Sequence, residues 1–82
     1  MTRTNIFDVL KSNMRAVLFG LGEMNITEQS SLVKDFGADS LQVVEIVSRT
    51  MRVANAKVKR TDLSKATNIG QLLDLLCGGI VE

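Results

Sequence analysis

Residues 36–45 read Phe-Gly-Ala-Asp-Ser-Leu-Gln-Val-Val-Glu, and they lead from a loop into a predicted helix. Asp39 and Ser40 are residue types that favour a helix N-terminus. The apolar residues that follow recur at helical spacing on one side: Val43, Val44, Val47, Met51 and Ala54. The opposite side carries Leu41, Gln42, Glu45, Ser48, Arg49 and Arg52. This 3.6-residue period predicts a helix from Asp39–Ser40 to about Met51 or Ala54, although its valines also suit a strand.

The residues before this segment predict one more helix and a long loop. A helix from about Thr4 to Phe19 would bury a single stripe formed by Ile6, Leu10, Met14, Val17, Leu18 and Leu21. Gly20 and Gly22 follow, where the helix should stop. From Glu23 to Gly37 no period is sustained, so we expect a loop held down by Ile26, Leu32 and Phe36.

The residues after the second helix predict a short helix and a final long one. Thr61-Asp62-Leu63 resembles a cap followed by a helical turn. Asn68 with Gln71 forms an Asn version of the capping box, and Gly78 and Gly79 end the helix. The apolar face of this last helix consists of Ile69, Leu72, Leu73 and Leu76. The sum is an all-α fold in one domain, residues 1–82: a small four-helix bundle of three main helices and one short one.

The composition excludes several classes of function. The chain has 82 residues, no histidine and one cysteine, Cys77, so it lacks the commonest general base and a thiolate metal site. We expect Cys77 to be a packing residue, and we expect a reducing, cytoplasmic setting. No apolar stretch approaches the roughly 20 residues that a membrane span needs. A serine hydrolase built on Ser40 would need a base, and only a lysine such as Lys34 could serve.

The charges are unevenly distributed although the formal net charge is only +1. Between Arg49 and Lys65 there are six basic residues and one acidic residue, Asp62. A basic helix can indicate nucleic-acid binding, but the low net charge and the 4% aromatic content argue against it. The basic stretch therefore indicates either a solvated face or a surface for acidic partners.

Ser40 is the candidate functional residue. A serine in the first turn of a helix is exposed, and the free N–H groups and positive dipole there favour a phosphate. An ordinary N-cap would also explain Asp39 and Ser40, so the residues alone leave both interpretations open.

The stretch Gly37-Ala38-Asp39-Ser40-Leu41, with Val44 and Glu45 after it, resembles the signature of the acyl carrier protein family. The resemblance extends over the whole chain and implies a carrier, not an enzyme. It implies that Ser40 carries 4'-phosphopantetheine from coenzyme A, whose thiol holds acyl groups as thioesters. It also implies that Asp39 helps a phosphopantetheinyl transferase to dock, and that Leu41, Val44 and Glu45 contact partner enzymes or line the acyl path.

One feature departs from the family pattern. Carriers of fatty acid synthesis usually have an acidic second helix, whereas this one ends in Arg49 and Arg52 and is followed by Lys57, Lys59 and Arg60. We therefore expect Arg49 and Arg52 to contact acidic partners, and we expect a polyketide or other specialised pathway.

Several partner classes follow from the resemblance. The expected partners are the transferase, an acyltransferase or other acyl-loading enzyme, and a ketosynthase or other acyl-processing enzyme, with a monomeric carrier and no nucleic acid or membrane. The alternatives are a peptidyl carrier, which Asp39 disfavours, and an unmodified helical interaction domain.

Overall fold

The computed structural model describes residues 2–21 and 25–80, and four helices form within them. These are α1 (Arg3–Val17), α2 (Ser40–Ala54), α3 (Arg60–Leu63) and α4 (Ile69–Gly78). Helix α1 packs against α2 and α4, and α4 also contacts α2 and α3. The prediction of three main helices, one short helix and a long first loop is confirmed.

The core is aliphatic, as the low aromatic content predicted. It consists of the buried faces of three helices: Ile6, Leu10 and Met14 of α1; Ile46, Val47 and Ala54 of α2; and Ile69, Leu72, Leu73 and Leu76 of α4. Cys77 is half-buried and packs against this core with a free thiol, as expected of a packing residue. Burial of these side chains is the main source of stability in a domain of this size.

The buried face of α2 differs from the predicted one. Val43 and Val44 are only half-buried, whereas Ile46 and Thr50 are fully buried. Thr50 is polar and therefore did not count toward an apolar stripe. Its hydroxyl donates to the Ile46 carbonyl oxygen at 2.9 Å and accepts from Asn13 Nδ2 at 3.0 Å, so its burial leaves no hydrogen bond unmade.

The helix ends agree with the predictions to within about two residues, with one error. Helix α1 begins after Thr2, whose hydroxyl accepts from the Asn5 amide at 3.1 Å. Thr61 was wrongly predicted as a cap: α3 begins at Arg60, and Lys59 precedes it without a side-chain cap. Gly22 and Glu23, at which the loop was predicted to begin, lie outside the described residues.

The start of α4 follows its predicted cap in part. Asn68 Oδ1 accepts from the Gln71 amide at 2.8 Å, as the capping box requires. The reciprocal bond shifts by one residue, because Gln71 Oε1 accepts from the amide of Thr67 at 2.5 Å. Gly78 is the last helical residue and Gly79 caps it, so the predicted end is confirmed.

The first loop is held by Arg3, a contact that the sequence pattern did not indicate. The Arg3 guanidinium lies 2.6 Å from Glu28 Oε1 and 2.6 Å from Asp74 Oδ1, and it also donates to the Gly70 carbonyl at 3.1 Å. Hydrogen bonds to Glu28, then to Asp74, raise the pKa of Arg3 above its usual value. The loop is thereby tied to α1 and α4, in addition to its buried Ile26 and Leu32 and half-buried Phe36.

The C-terminal end of α4 makes a close backbone contact with the segment after α2. Ala56 and Ile80 form an antiparallel bridge, and the Lys57 amide donates to the Gly79 carbonyl at 2.8 Å. A Cβ atom on Gly79 would overlap the Lys57 carbonyl oxygen, whereas nothing lies within 4 Å of a Cβ on Gly78.

We expect Gly79→Ala to lower the free energy of unfolding by about 1–3 kcal/mol, because backbone atoms must shift to accommodate the methyl group. The matched variant Gly78→Ala should be neutral or stabilising by up to about 1 kcal/mol, because it replaces a helical glycine in open space. Urea denaturation of both variants measures the difference. Equal effects of the two substitutions would contradict the close contact.

No helix within residues 2–21 and 25–80 is long and apolar enough to cross a membrane. The same residues contain no group of three or more His, Cys, Asp or Glu side chains that could hold a metal ion.

Candidate functional site

The segment before Ser40 is held by bonds to its own backbone. The Ser31 amide donates to Asp35 Oδ2 at 2.6 Å, and the Gly37 amide donates to the Val33 carbonyl at 3.1 Å. Gly37 has a φ of +69°, a left-handed conformation that favours glycine. Ala38 follows it into the core and is 3% exposed. This turn sets the direction in which the chain enters α2.

A complete capping box starts α2. Asp39 Oδ1 accepts from the Gln42 amide at 2.8 Å, and Gln42 Oε1 accepts from the Asp39 amide at 3.0 Å. The predicted N-terminus at Asp39–Ser40 is therefore confirmed. The reciprocal role of Gln42 was not predicted, although an Asp followed three residues later by Gln is a recognisable signal.

Ser40 is the first residue of α2, and its side chain is exposed. No side chain of the described residues forms a hydrogen bond with its hydroxyl, so the oxygen is accessible from solvent. Asp39 caps the Gln42 amide, and the amides of Ser40 and Leu41 lie at the positive end of the helix dipole. These features fit a phosphate ester on Ser40.

A groove of about 360 Å³ lies beside Ser40, between α2 and α3. We call it the α2–α3 groove. Its apolar lining consists of Val33, Leu41, Val43, Val44, Leu63 and Ala66. Ser40, Arg60 and Ser64 complete the lining. Two residues of the predicted acyl path, Leu41 and Val44, are thus brought together next to Ser40.

The other predicted contact residues form a stripe along α2, in which Glu45 and Arg52 are exposed and Arg49 is half-buried. Glu45 accepts from the Arg49 guanidinium at 2.9 Å, the i, i+4 pair that its spacing allowed. Arg52 lies about 18 Å along the helix axis from Ser40 and is exposed. It lines a second groove of about 710 Å³ with Met51 and Lys57, among other residues. Arg49 and Arg52 are therefore remote from Ser40 but on its helix.

Comparison with known proteins gives the family. The sequence model of a protein family, described as the phosphopantetheine attachment site, matches residues 15–76 of the chain. This range includes Ser40 and the whole of α2. The chain belongs to the acyl carrier protein family. Acyl carrier proteins hold a covalent 4'-phosphopantetheine group, so the expected cofactor and carrier role are confirmed.

Two curated relatives span nearly the full length of this carrier. The acyl carrier protein of Thermotoga maritima is 33% identical over 75 residues, which is 92% of this chain and 91% of the relative. The polyketide biosynthesis acyl-carrier-protein AcpK of Bacillus subtilis (strain 168) is 34% identical over 76 residues, 93% of this chain and 92% of the relative. Both names support an acyl carrier over the peptidyl alternative.

A solved structure is similar to this carrier as well. It is a chain in the crystal structure of the curacin biosynthetic pathway HMG synthase in complex with acetyl donor-ACP. The likeness has a TM-score of 0.81 at 28% identity and covers 95% of this chain and 99% of that one. The relatives are carriers that act as partners of acyl-processing enzymes, so the expectation that this chain is not itself an enzyme is confirmed.

The carrier should lose about 0.5–2 kcal/mol of unfolding free energy on Asp39→Ala, because the Gln42 amide loses its acceptor. Asp39→Asn keeps a side-chain oxygen at the cap and should unfold like wild type. Urea denaturation of both variants separates the cap from the charge. A loss of stability in Asp39→Asn equal to that in Asp39→Ala would contradict a cap that depends on hydrogen bonding.

Proposed function

We propose that Ser40 is the residue that carries 4'-phosphopantetheine and that the thiol of this group bears acyl intermediates as thioesters. The observation that supports the proposal is the exposed hydroxyl of Ser40 at the first position of α2, which has no hydrogen-bond partner among the described residues. Ser40 Oγ attacks a phosphorus of the coenzyme A pyrophosphate on a phosphopantetheinyl transferase. An Oγ–P bond forms, the P–O bond to the adenosine bisphosphate breaks, and the serine proton passes to a base of the transferase.

Asp39 and the α2–α3 groove have supporting roles in this proposal. Asp39 presents a carboxylate next to Ser40 and helps the transferase to dock and to orient its metal ion. Leu41, 75% exposed at the rim of the groove, contacts partner enzymes, and Val44 lines the path of a sheltered acyl group. Apolar walls of this kind favour the alkyl part of an acyl chain over water.

The experiment for this proposal is an intact-mass measurement. The chain is incubated with coenzyme A, Mg²⁺ and a phosphopantetheinyl transferase, and a mass gain of one phosphopantetheine group is expected. Peptide fragmentation should locate that group on Ser40. Absence of the gain, or its location on another residue, would refute the proposal.

We further propose that this single domain, residues 1–82, acts as a cytoplasmic monomer in polyketide or related specialised biosynthesis. The polyketide carrier AcpK and the donor carrier bound to the curacin HMG synthase support this direction. Its partners are the transferase, an acyltransferase or other loading enzyme, and a ketosynthase or other acyl-processing enzyme. Glu45, Arg49 and Arg52 on the stripe along α2 meet these partners, and no nucleic acid or membrane takes part.

The charge at the end of α2 should decide which partners accept the carrier. Arg52 and Lys57 are both exposed and line one groove, so a basic enzyme surface that suits an acidic carrier would be repelled. Wild-type carrier loaded with malonyl groups should therefore be a poor substrate of the elongating ketosynthase of bacterial fatty acid synthesis.

Reversing both charges, Arg52→Glu with Lys57→Glu, should raise kcat/KM with that ketosynthase by about tenfold at low salt. The double reversal Lys11→Glu with Arg15→Glu on α1 changes the net charge by the same amount; it is the control and should change kcat/KM little. Steady-state rates at two ionic strengths measure the effect. Efficient turnover of the wild-type carrier would refute a role for these cations in partner choice.

A further inference from the structure

Arg60 is the only charged residue among the described residues that line the α2–α3 groove. Every other lining residue is apolar or bears a hydroxyl. Asp62, the acidic residue of α3, lines a different depression together with Lys57 and Lys59. A cation without a neighbouring carboxylate in the groove is free to bind an anion there.

The backbone of α3 holds Arg60 in place at the rim. The Ser64 amide donates to the Arg60 carbonyl at 3.1 Å, and Ser64 Oγ donates to the Thr61 carbonyl at 2.7 Å. Leu63 of the same turn packs against the core. The side chain of Arg60 is exposed and forms no ion pair within residues 2–21 and 25–80, in contrast to Arg3, which is fully engaged.

We infer that Arg60 binds the phosphodiester of the arm on Ser40 and so holds the start of the arm against the α2–α3 groove. The inference rests on the proposed attachment at Ser40. The phosphorus is bonded directly to Ser40 Oγ, and Ser40 and Arg60 line the same groove. A guanidinium offers paired N–H donors that match phosphate oxygens. A carboxylate at the end of an acyl group would be many bonds away, so the phosphodiester is the anion that this position favours.

The expected effect is a shift of the arm toward α3. Exposed ion pairs change an equilibrium constant by about two- to fivefold, so Arg60 should raise the ratio of docked to undocked arm by that factor. The shift should weaken as salt is added, because both charges are exposed to solvent. The part of the arm that follows the phosphate would then lie against the apolar lining of the α2–α3 groove.

The experiment compares apo and loaded carrier by NMR, with the free thiol at the end of the arm. Loading should shift the amide signals of Leu63 and Ser64, and added salt should move the phosphorus signal of the attached arm, because salt screens its ion pair with Arg60. In Arg60→Gln both effects should become smaller, by up to about fivefold. Arg60→Lys should retain part of them. Lys57→Gln removes the same charge from the other groove and should leave both effects unchanged.

The outcomes separate this inference from the proposed function. If the mass gain is absent, attachment at Ser40 fails and Arg60 has no arm to bind. If the arm is attached but its signals are the same in wild type and Arg60→Gln, the role of Arg60 is refuted. Equal losses in Arg60→Gln and Lys57→Gln would also refute it, because they would reflect net charge. The same comparison is made with malonyl-loaded carrier. If Arg60→Gln changes the signals only in that sample, Arg60 binds the malonyl carboxylate, and the inference that it binds the phosphodiester is refuted.

Discussion

Ser40→Ala should abolish phosphopantetheine transfer to the chain and leave its fold intact. The substitution removes Ser40 Oγ, the atom to which we propose that the arm is attached. The structural cost is small, since the Ser40 side chain is exposed, forms no hydrogen bond with the described residues and stands where alanine is a good helix former. We expect the free energy of unfolding to change by no more than about 0.5 kcal/mol.

Intact mass after incubation with coenzyme A and the transferase measures the loss, and far-ultraviolet circular dichroism checks the fold. Ser64→Ala is the matched control, because Ser64 also lines the α2–α3 groove and its hydroxyl also bears a proton. Ser64→Ala should be loaded fully. A mass gain that persists in Ser40→Ala and vanishes in Ser64→Ala would move the attachment site across the groove.

Leu10→Ala should cause a large loss of stability. Leu10 of α1 is fully buried in the core, and α1 packs against both α2 and α4. Truncation of a buried leucine costs about 2–5 kcal/mol through lost burial and the cavity left behind. A domain this small has a free energy of unfolding near the low end of the usual range of about 5–15 kcal/mol.

The melting temperature of Leu10→Ala should therefore fall by at least about 10 °C, since about 1 kcal/mol corresponds to several degrees in a domain of this size. Leu41→Ala is the matched control: the same atoms are removed from a side chain that is 75% exposed. Its unfolding free energy should change by no more than about 0.5 kcal/mol. Thermal and urea unfolding measure the stability of the two variants. Equal losses of stability in Leu10→Ala and Leu41→Ala would contradict the described core.

The start of α2 could be predicted from the residues that form it. Asp39 and Gln42 are three positions apart, and the hydrogen bonds that begin the helix join these two residues alone. The same holds for Asn68 and Gln71 at α4. Because such caps are made within one turn, their pattern is visible in the sequence. The exposure of Ser40 follows from the same local geometry.

The rotation of α2 about its axis could not be predicted from its hydrophobic pattern. Thr50 is fully buried, and Asn13 of α1, which donates to its hydroxyl, lies 37 positions away in the chain. The predicted face included Val44 and Met51, which are half-buried, and it omitted the apolar Ile46, which the structure buries fully together with Thr50.

Local order in this chain, then, was encoded over spans of three or four residues: where each long helix begins, which residue caps it and which serine stands exposed. The arrangement of those helices depended on contacts between distant residues, such as the bond from Arg3 to Asp74, 71 positions apart. The meeting of Ser40 with Arg60 in one groove is of this second kind. Such contacts form only when the buried side chains pack together, because the core, and not any single helix, sets the angle and spacing at which helices meet.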